Sequence, residues 1–591
     1  MSHTSKIFEE APIKVQNRNG FDLSHLNVGT AKCGQLVPVM CKVLPPNTKF
    51  TLGVNMEVSL PPLATTFYGR IDAIVEGFVV PLSILYGGFK QFISNQQMTM
   101  FPSSQDASIN AGGYAVPYFD AVQVAGASGD GVANWSSLFE SNDNIFEYLG
   151  VRQNVRQTQT VTVGPKLSLL PALAYHLIWD TWYRNKNVTK TIFAVNPNVG
   201  ILTDTTPQLV PSNTAPYALN NKNVSLIWHS FYTDTPIGTI GGQSVENTGA
   251  IFNTAAQLTF PDGISVFSTR QRCYARDYFT AASLDVQQGN ASGVQFTVDE
   301  NGDGEFTIAS LRAANALQKF CETNNLSGDF ADMMRNRWGV KPIDADFDEP
   351  YYLGRVVVPV YQKGVAQSGV AYDGEGGSIG GTSKNPFVQD GVIGAKAGVG
   401  GFSGRGSIAD SFTSTTWAYV MCIFSLVPHA MYGYGLNREL QMRTLADFPA
   451  PELQTIGYEA IKETEVYYRG VESSFDADFA YIPRYSRFKY MDDEIHGEMR
   501  PGKTLDSFVL QRRLGSEGGD PFTLTTSFLE IPQNALDSVF ATSVASTRLS
   551  CWYEIFFEFK VSMPLADFCI PTLGDIQDTH TIKAPIGGSR L

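Results

Sequence analysis

Asp299, Asn301, Asp303 and Gly304 match the opening of a calcium-binding loop, in which alternate oxygen ligands ring the ion and the glycine permits the sharp turn. The twelfth position is Ser310, where such a loop needs a bidentate glutamate. The flanks, 294–298 and 305–308, read as strands, so a β-hairpin with an acidic tip is the better expectation. Gly376-Gly377-Ser378-Ile379-Gly380 fits the serine-nucleophile pattern GxSxG, and Gly404-Arg405-Gly406-Ser407-Ile408-Ala409 fits the dinucleotide pattern GxGxxA. Both fall in a glycine-rich stretch with no buried strand before them, which is where chance produces such matches. The chain has no GxxxxGK[ST], no HExxH and no Cys/His cluster with zinc spacing. His176 sits on an apolar helix stripe and reads as a packed core residue. No catalytic residue, metal ligand or cofactor is therefore expected.

A basic cluster carries the remaining chemistry. Arg484, Arg487, Lys489, Arg500, Lys503, Arg512 and Arg513 alternate with Tyr481, Tyr485, Phe488, Tyr490 and Phe508. Cations among aromatic rings can cradle single-stranded nucleic acid by charge and stacking. Asp492, Asp493, Glu494, Glu498 and Asp506 lie in the same stretch and nearly cancel that charge. Internal ion pairs or a contact between subunits fit the cluster better, because arginine is also a favoured interface residue. Arg484, Arg487, Arg512 and Arg513 are the candidate contact residues.

The elements that must position these groups are mostly strands. From Phe50 through Leu52, Val54, Met56 and Val58 to Leu60 every second residue is apolar, and Tyr553, Ile555, Phe557, Phe559, Val561 and Met563 repeat the pattern near the other end. That is the period of a strand with one face in a core. Residues 67–80 are apolar on both parities and 418–427 form an apolar run, so both should be strands covered on two faces. Helices are expected over 171–185, 308–321 and 329–338. Residues 186–272, rich in Asn, Thr, Pro and Gly, read as a surface insertion, and 362–408 as a glycine-rich loop. Strands at both ends with long excursions between them suit a single closed β-sandwich spanning 1–591.

Composition limits the function classes. Only 17% of the 591 residues are charged while aromatics reach 12%, which suits a surface largely buried against neighbours and would also suit a large secreted β-protein. A net charge of −14 argues against nucleic-acid binding over a whole face, so any such contact must be local. Residues 1–14 hold neither a basic run nor a signal-length apolar core, and folding in a cytoplasm is expected. The apolar run at 418–427 is half a membrane span, and no membrane partner is expected. Seven cysteines with no CxxC pair read as free buried thiols.

Short segments recur along the chain in one order: Asn17-Arg18-Asn19-Gly20-Phe21-Asp22-Leu23-Ser24-His25, Leu36-Val37-Pro38-Val39, Trp182-Tyr183-Arg184-Asn185, Asp277-Tyr278-Phe279-Thr280, the 311–321 helix with its follow-on to Gly339-Val340, Tyr352-Leu353-Gly354 and Gly435-Leu436-Asn437-Arg438. A last run goes from Phe479 through Arg484, Tyr490, Gly497 and Arg500 to Leu505-Asp506-Ser507. In these segments and their order the chain resembles the major capsid proteins of microviruses, small icosahedral phages with single-stranded DNA, most of all the gokushovirus-like branch. The resemblance implies a mainly β protein, a single eight-stranded jelly roll of viral capsid type with long loop insertions and a few helices. It also implies sixty copies in a closed shell, assembled in a bacterial cytoplasm. The implied partners are an internal scaffolding protein, a DNA pilot protein, the packaged single-stranded DNA and a host surface receptor. The chain departs from its relatives at 284–289, where they usually carry a Pro-Trp-Pro segment, and its extra length lies at 186–272. A jelly-roll carbohydrate- or receptor-binding protein is the alternative, expected as a monomer or trimer. A β-rich glycosidase would need two carboxylates about 5–10 Å apart across a cleft, and no pair is singled out among the 57 acidic residues.

Overall fold

The computed structural model describes residues 18–85, 143–151, 166–186, 264–284, 349–368, 395–514, 523–540 and 549–565, apart from breaks of one to three residues, together with short pieces elsewhere. Along the chain run β1 (Asn19–Asp22), β2 (His25–Ala31), β3 (Val37–Leu44), β4 (Thr48–Ser59) and β5 (Ile71–Pro81). Three short strands follow, β6 (Tyr118–Asp120), β7 (Lys166–Ser168) and β8 (Ala250–Phe252), forming a small sheet of their own. Then come β9 (Tyr351–Ser368), β10 (Ala395–Ser414), β11 (Ala418–Pro428), the hairpin β12 (Tyr458–Lys462) with β13 (Asp478–Pro483), and β14 (Cys551–Met563). The helix α1 (Leu170–Ile178) continues into a π-helical turn, Trp179–Tyr183.

Strand pairing resolves into two four-membered antiparallel sheets. In the first, β1 and β2 share one edge of β14, followed by β4 and β10. In the second the order is β3, β11, β5, β9. The sheets meet where 361–368 of β9 pair with 395–401 of β10, after which the two strands part into opposite sheets. Counting β1 and β2 as one position, the strands follow the wrapping order of a jelly roll, crossing between the sheets at each step except from β5 to β9, which are neighbours in the second sheet.

The alternations decide the core. In β4 and β14 every second residue is buried, and Leu52, Val54, Met56, Ile555 and Phe557 face Val75, Val358, Cys422 and Phe424 of the other sheet. Each such side chain contributes roughly 1.5–3 kcal/mol by leaving water. β5 is buried along nearly its whole length and β11 throughout, because their second face also has a cover. Phe78, Val80, Tyr419, Met421 and Ile423 pack against Leu173, Ile178 and Trp179 of the α1 segment. A third cluster, with Ile461, Val466, Phe479 and Ile482 against Tyr278 and Phe279, builds a lobe on the segment between β11 and β14.

The glycine-rich stretch 362–408 is not a loop at its ends: 362–368 and 395–408 are strand. Its glycines serve packing, since a Cβ at Gly404 would meet Val358 at 2.6 Å and one at Gly406 would meet Val356 at 2.7 Å. Residues 369–394 lie outside the described residues. So does most of 186–272, but its last part is no surface insertion: Val266, Phe267 and Arg270 are buried against α1 and its neighbours. The helices expected at 308–321 and 329–338, the acidic hairpin and the GxSxG match fall largely or wholly outside the described residues. The GxGxxA match is part of β10, paired with β4. Cys33, Cys422 and Cys551 are free and buried, and Cys41 and Cys273 are free and half-buried.

Candidate functional site

The outer face of the second sheet is divided in three. The even-numbered residues of β5 point to it, and at one end Phe78 and Val80 lie under α1. In the middle stands Glu76, a buried carboxylate. Arg272 donates to it from Nη1 at 2.6 Å, Tyr183 donates its hydroxyl at 2.6 Å, and Arg272 also donates to the Ser425 hydroxyl at 3.0 Å. Burial opposes the Arg272 charge, but Glu76 outweighs it and holds the guanidinium above its ordinary range. Burial, and then Glu76, push the Tyr183 phenol well up. At the far end, beside Asp72 and Ile74, the face is open and forms a cavity of about 880 Å³.

Local sequence explains the walls. The π turn is closed by the Arg184 amide donating to the Trp179 carbonyl at 3.0 Å, five residues back. This turn brings Trp182, Tyr183 and Arg184 to the sheet, where Arg184 pairs with Asp180 at 2.9 Å. In β9, Val356 and Val358 enter the core, so Arg355 and Val357 must face outward into the cavity. Residues 272–276 form the opposite wall.

Six lining residues are cationic, Arg70, Arg184, Lys186, Arg272, Arg276 and Arg355, against one carboxylate, Asp72. Asp72 is engaged by Arg70 at 2.8 Å and faces His429 at 3.2 Å. Arg276 and Arg355 are exposed, and no carboxylate among the described residues pairs with either. Trp182, which lines the cavity, is 47% exposed, and Tyr352 beside it is 39% exposed, with ring centroids 5.2 Å apart. Cations with stacking surfaces beside them suit the phosphates and bases of a single strand. Among the described residues no group of three or more His, Cys, Asp or Glu is placed to hold a metal ion, and no helix is long and apolar enough to cross a membrane.

The four arginines singled out from the sequence lie elsewhere, mostly in the lobe. Arg512 is buried. Its guanidinium lies over Phe528 at 4.0 Å and Tyr274 at 4.3 Å, and donates to the Tyr432 hydroxyl at 3.0 Å and to the Phe528 carbonyl. It acts as an internal clamp behind the cavity wall, which Tyr274 and Leu529 help to form. Arg513 is half-exposed beside Asp506 at 3.4 Å. Arg484 lies over the Tyr485 ring at 5.7 Å, and Arg487 lies over Phe488 at 4.7 Å while donating to the Asp447 carbonyl at 2.9 Å. His176 is fully buried, as expected of a core residue. Arg276 and Arg355 escaped sequence reasoning; the one local signal was a lone arginine on the outward parity of an apolar strand, at 355.

The comparisons with known proteins agree with this architecture. The model of the family described as capsid protein (F protein) matches residues 11–572. Capsid protein VP1 of Chlamydia phage 1 is 21% identical, over 96% of this chain and 97% of its own length. Capsid protein VP1 of Bdellovibrio phage phiMH2K is 22% identical, over 84% of this chain and 85% of its own. With a jelly roll in hand and a family match over nearly its whole length, the chain belongs to the phage capsid protein (F protein) family, of the microvirus and gokushovirus type.

Proposed function

We propose that this protein is the major capsid subunit of a small phage, that it assembles into a closed icosahedral shell of sixty copies in the bacterial cytoplasm, and that the shell encloses single-stranded DNA. Family membership supports the structural role and the virion location. The observation that carries the DNA contact is the cavity: a protein of net charge −14 gathers six cations around one pocket, with Trp182 in its wall and the Tyr352 ring beside Trp182. The acidic composition leaves room only for a local contact, and the cavity is a candidate of that kind. Arg276 and Arg355 hold phosphate oxygens, and Trp182 and Tyr352 offer faces to bases. An internal scaffolding protein, a DNA pilot protein and a host receptor complete the expected partners by analogy with the family. The part of the long insertion between 193 and 263 is the proposed surface protrusion; a capsid map with it buried between subunits would sink that assignment.

The test is negative-stain electron microscopy with light scattering on particles made with and without the scaffolding protein, followed by nuclease treatment and quantification of protected DNA. Uniform shells with protected single-stranded DNA are expected. Persistent monomers or trimers with the scaffold present would favour a ligand-binding jelly roll instead. In shells of the Arg276→Glu/Arg355→Glu variant, protected DNA should fall severalfold while the shell itself persists.

A further inference from the structure

We infer that the lobe between β11 and β14 presents a self-complementary apolar ledge that binds a second copy of this chain, an inference that rests on the capsid reading. The three most exposed large apolar side chains among the described residues all lie here: Leu445 at 90%, Met491 at 83% and Leu440 at 82%. Phe448, Phe488 and Tyr490 add half-exposed rings. A leucine or methionine standing this far into water gains nothing for its own fold. Together these six side chains expose on the order of 700 Å², close to the roughly 800 Å² each partner contributes to a stable interface.

The ledge is held, not loose. Its two strips, 437–450 and 485–494, are tied at both ends. Asn437 donates to Glu494 at 3.2 Å, the Ala450 amide donates to the Tyr485 hydroxyl at 3.2 Å, and Arg487 reaches the Asp447 carbonyl at 2.9 Å. The first strip is fixed within itself by the Arg443 amide on Asp447 at 2.9 Å, and to the lobe by Arg438 on Glu465 at 2.8 Å. Side chains carried on a tied backbone lose less entropy on docking, which is what a contact repeated around a shell requires.

Charge points to a second copy as the occupant. Around the ledge, exposed Arg443, Lys489 and Arg500 stand among exposed Glu439, Glu452, Asp493, Glu494 and Glu498. A surface that interleaves both signs can complement itself in a contact between like subunits, whereas a partner of one strong charge would meet like charge on part of it. The apolar centre with aromatic, methionine and arginine residues and a charged rim has the composition of a protein interface.

The test uses whole particles. Leu445→Asp and Met491→Asp replace side chains that already stand in water, so the subunits should fold and stay soluble. Shell yield with scaffold present should drop at least tenfold relative to the unaltered chain. In a second measurement, Leu445→Cys and Met491→Cys shells are treated with a short bismaleimide, and denaturing gels should show capsid–capsid dimers. The inference is overturned if the aspartate variants assemble at normal yield and the cysteine shells give no such dimers, or if the only cross-link formed is to the scaffolding protein. Failure of the unaltered chain to form shells at all would instead remove the capsid reading itself.

Discussion

His176 shows how a buried residue sets a pH response. Arg270 Nε donates to its Nδ1 at 3.1 Å, and its Nε2 lies 2.9 Å from the Val266 carbonyl, an arrangement that only the neutral ring with the proton on Nε2 satisfies. Burial first, and the Arg270 charge second, push its pKa well below the ordinary histidine value of about 6.5. The unfolded chain binds the proton below 6.5 and the folded one does not, so stability is complete above 6.5 and is lost as pH falls below it, by up to about 1.4 kcal/mol per unit. Urea midpoints measured from pH 7.5 to 5.5 should show this slope, and His176→Gln should flatten it. Arg512 supplies a second case. Arg512→Lys keeps the charge but forfeits the planar stack on Phe528 and Tyr274, and should cost about 1–3 kcal/mol. Arg513→Lys, at a half-exposed site, should stay within about 0.5 kcal/mol in the same thermal melts.

Among the elements, β10 teaches the most. A run of glycines reads as a loop because glycine is poor in strands, yet at Gly404 and Gly406 the missing side chain lets the second sheet approach. Gly404→Ala should destabilise by about 1–3 kcal/mol through its clash with Val358, and Val358→Ala on top should recover part of that loss; strict additivity in the double-mutant cycle would refute the contact. Gly435 sets the lobe in the same way, since an added methyl would run into the Glu465 carbonyl where the Leu436 amide donates to Thr464 at 2.8 Å. Gly435→Ala should therefore loosen the lobe before the sandwich, visible as faster amide exchange over 458–466 than over β4. By contrast β4, β14 and β11 were legible at once, because their pattern follows from burial on one face or two.

For the molecule as a whole, a net charge of −14 and a basic cavity act at different ranges. The overall charge repels a polyanion at low salt, while Arg276 and Arg355 attract it at contact. Binding of a labelled oligothymidylate to the soluble subunit should weaken as salt rises. Removing both arginines should reduce the slope of log K against log salt by about 1.4, at about 0.7 per phosphate contact on a single strand. An unchanged slope would remove the proposed DNA contact from this cavity. The clamp made by Arg512 joins the lobe to the cavity wall through Tyr274, so the Arg512 variants should also weaken oligonucleotide binding modestly.

What the sequence determined by itself is the sandwich: alternation and two-sided burial are local periodicities, and they identified the strands at both ends, the double-covered ones between them, and the helix at 171–185. The basic cluster at 484–513 was equally visible, but its roles were not, since whether an arginine is buried depends on what folds over it. The cavity was decided only by tertiary structure. Arg70, Arg184, Arg276 and Arg355 come from four separate parts of the chain, each unremarkable in its own window. They converge because the pairing of β5, β9 and β11 fixes which parity faces outward and α1 covers only part of that face, and neither fact is written in any one segment.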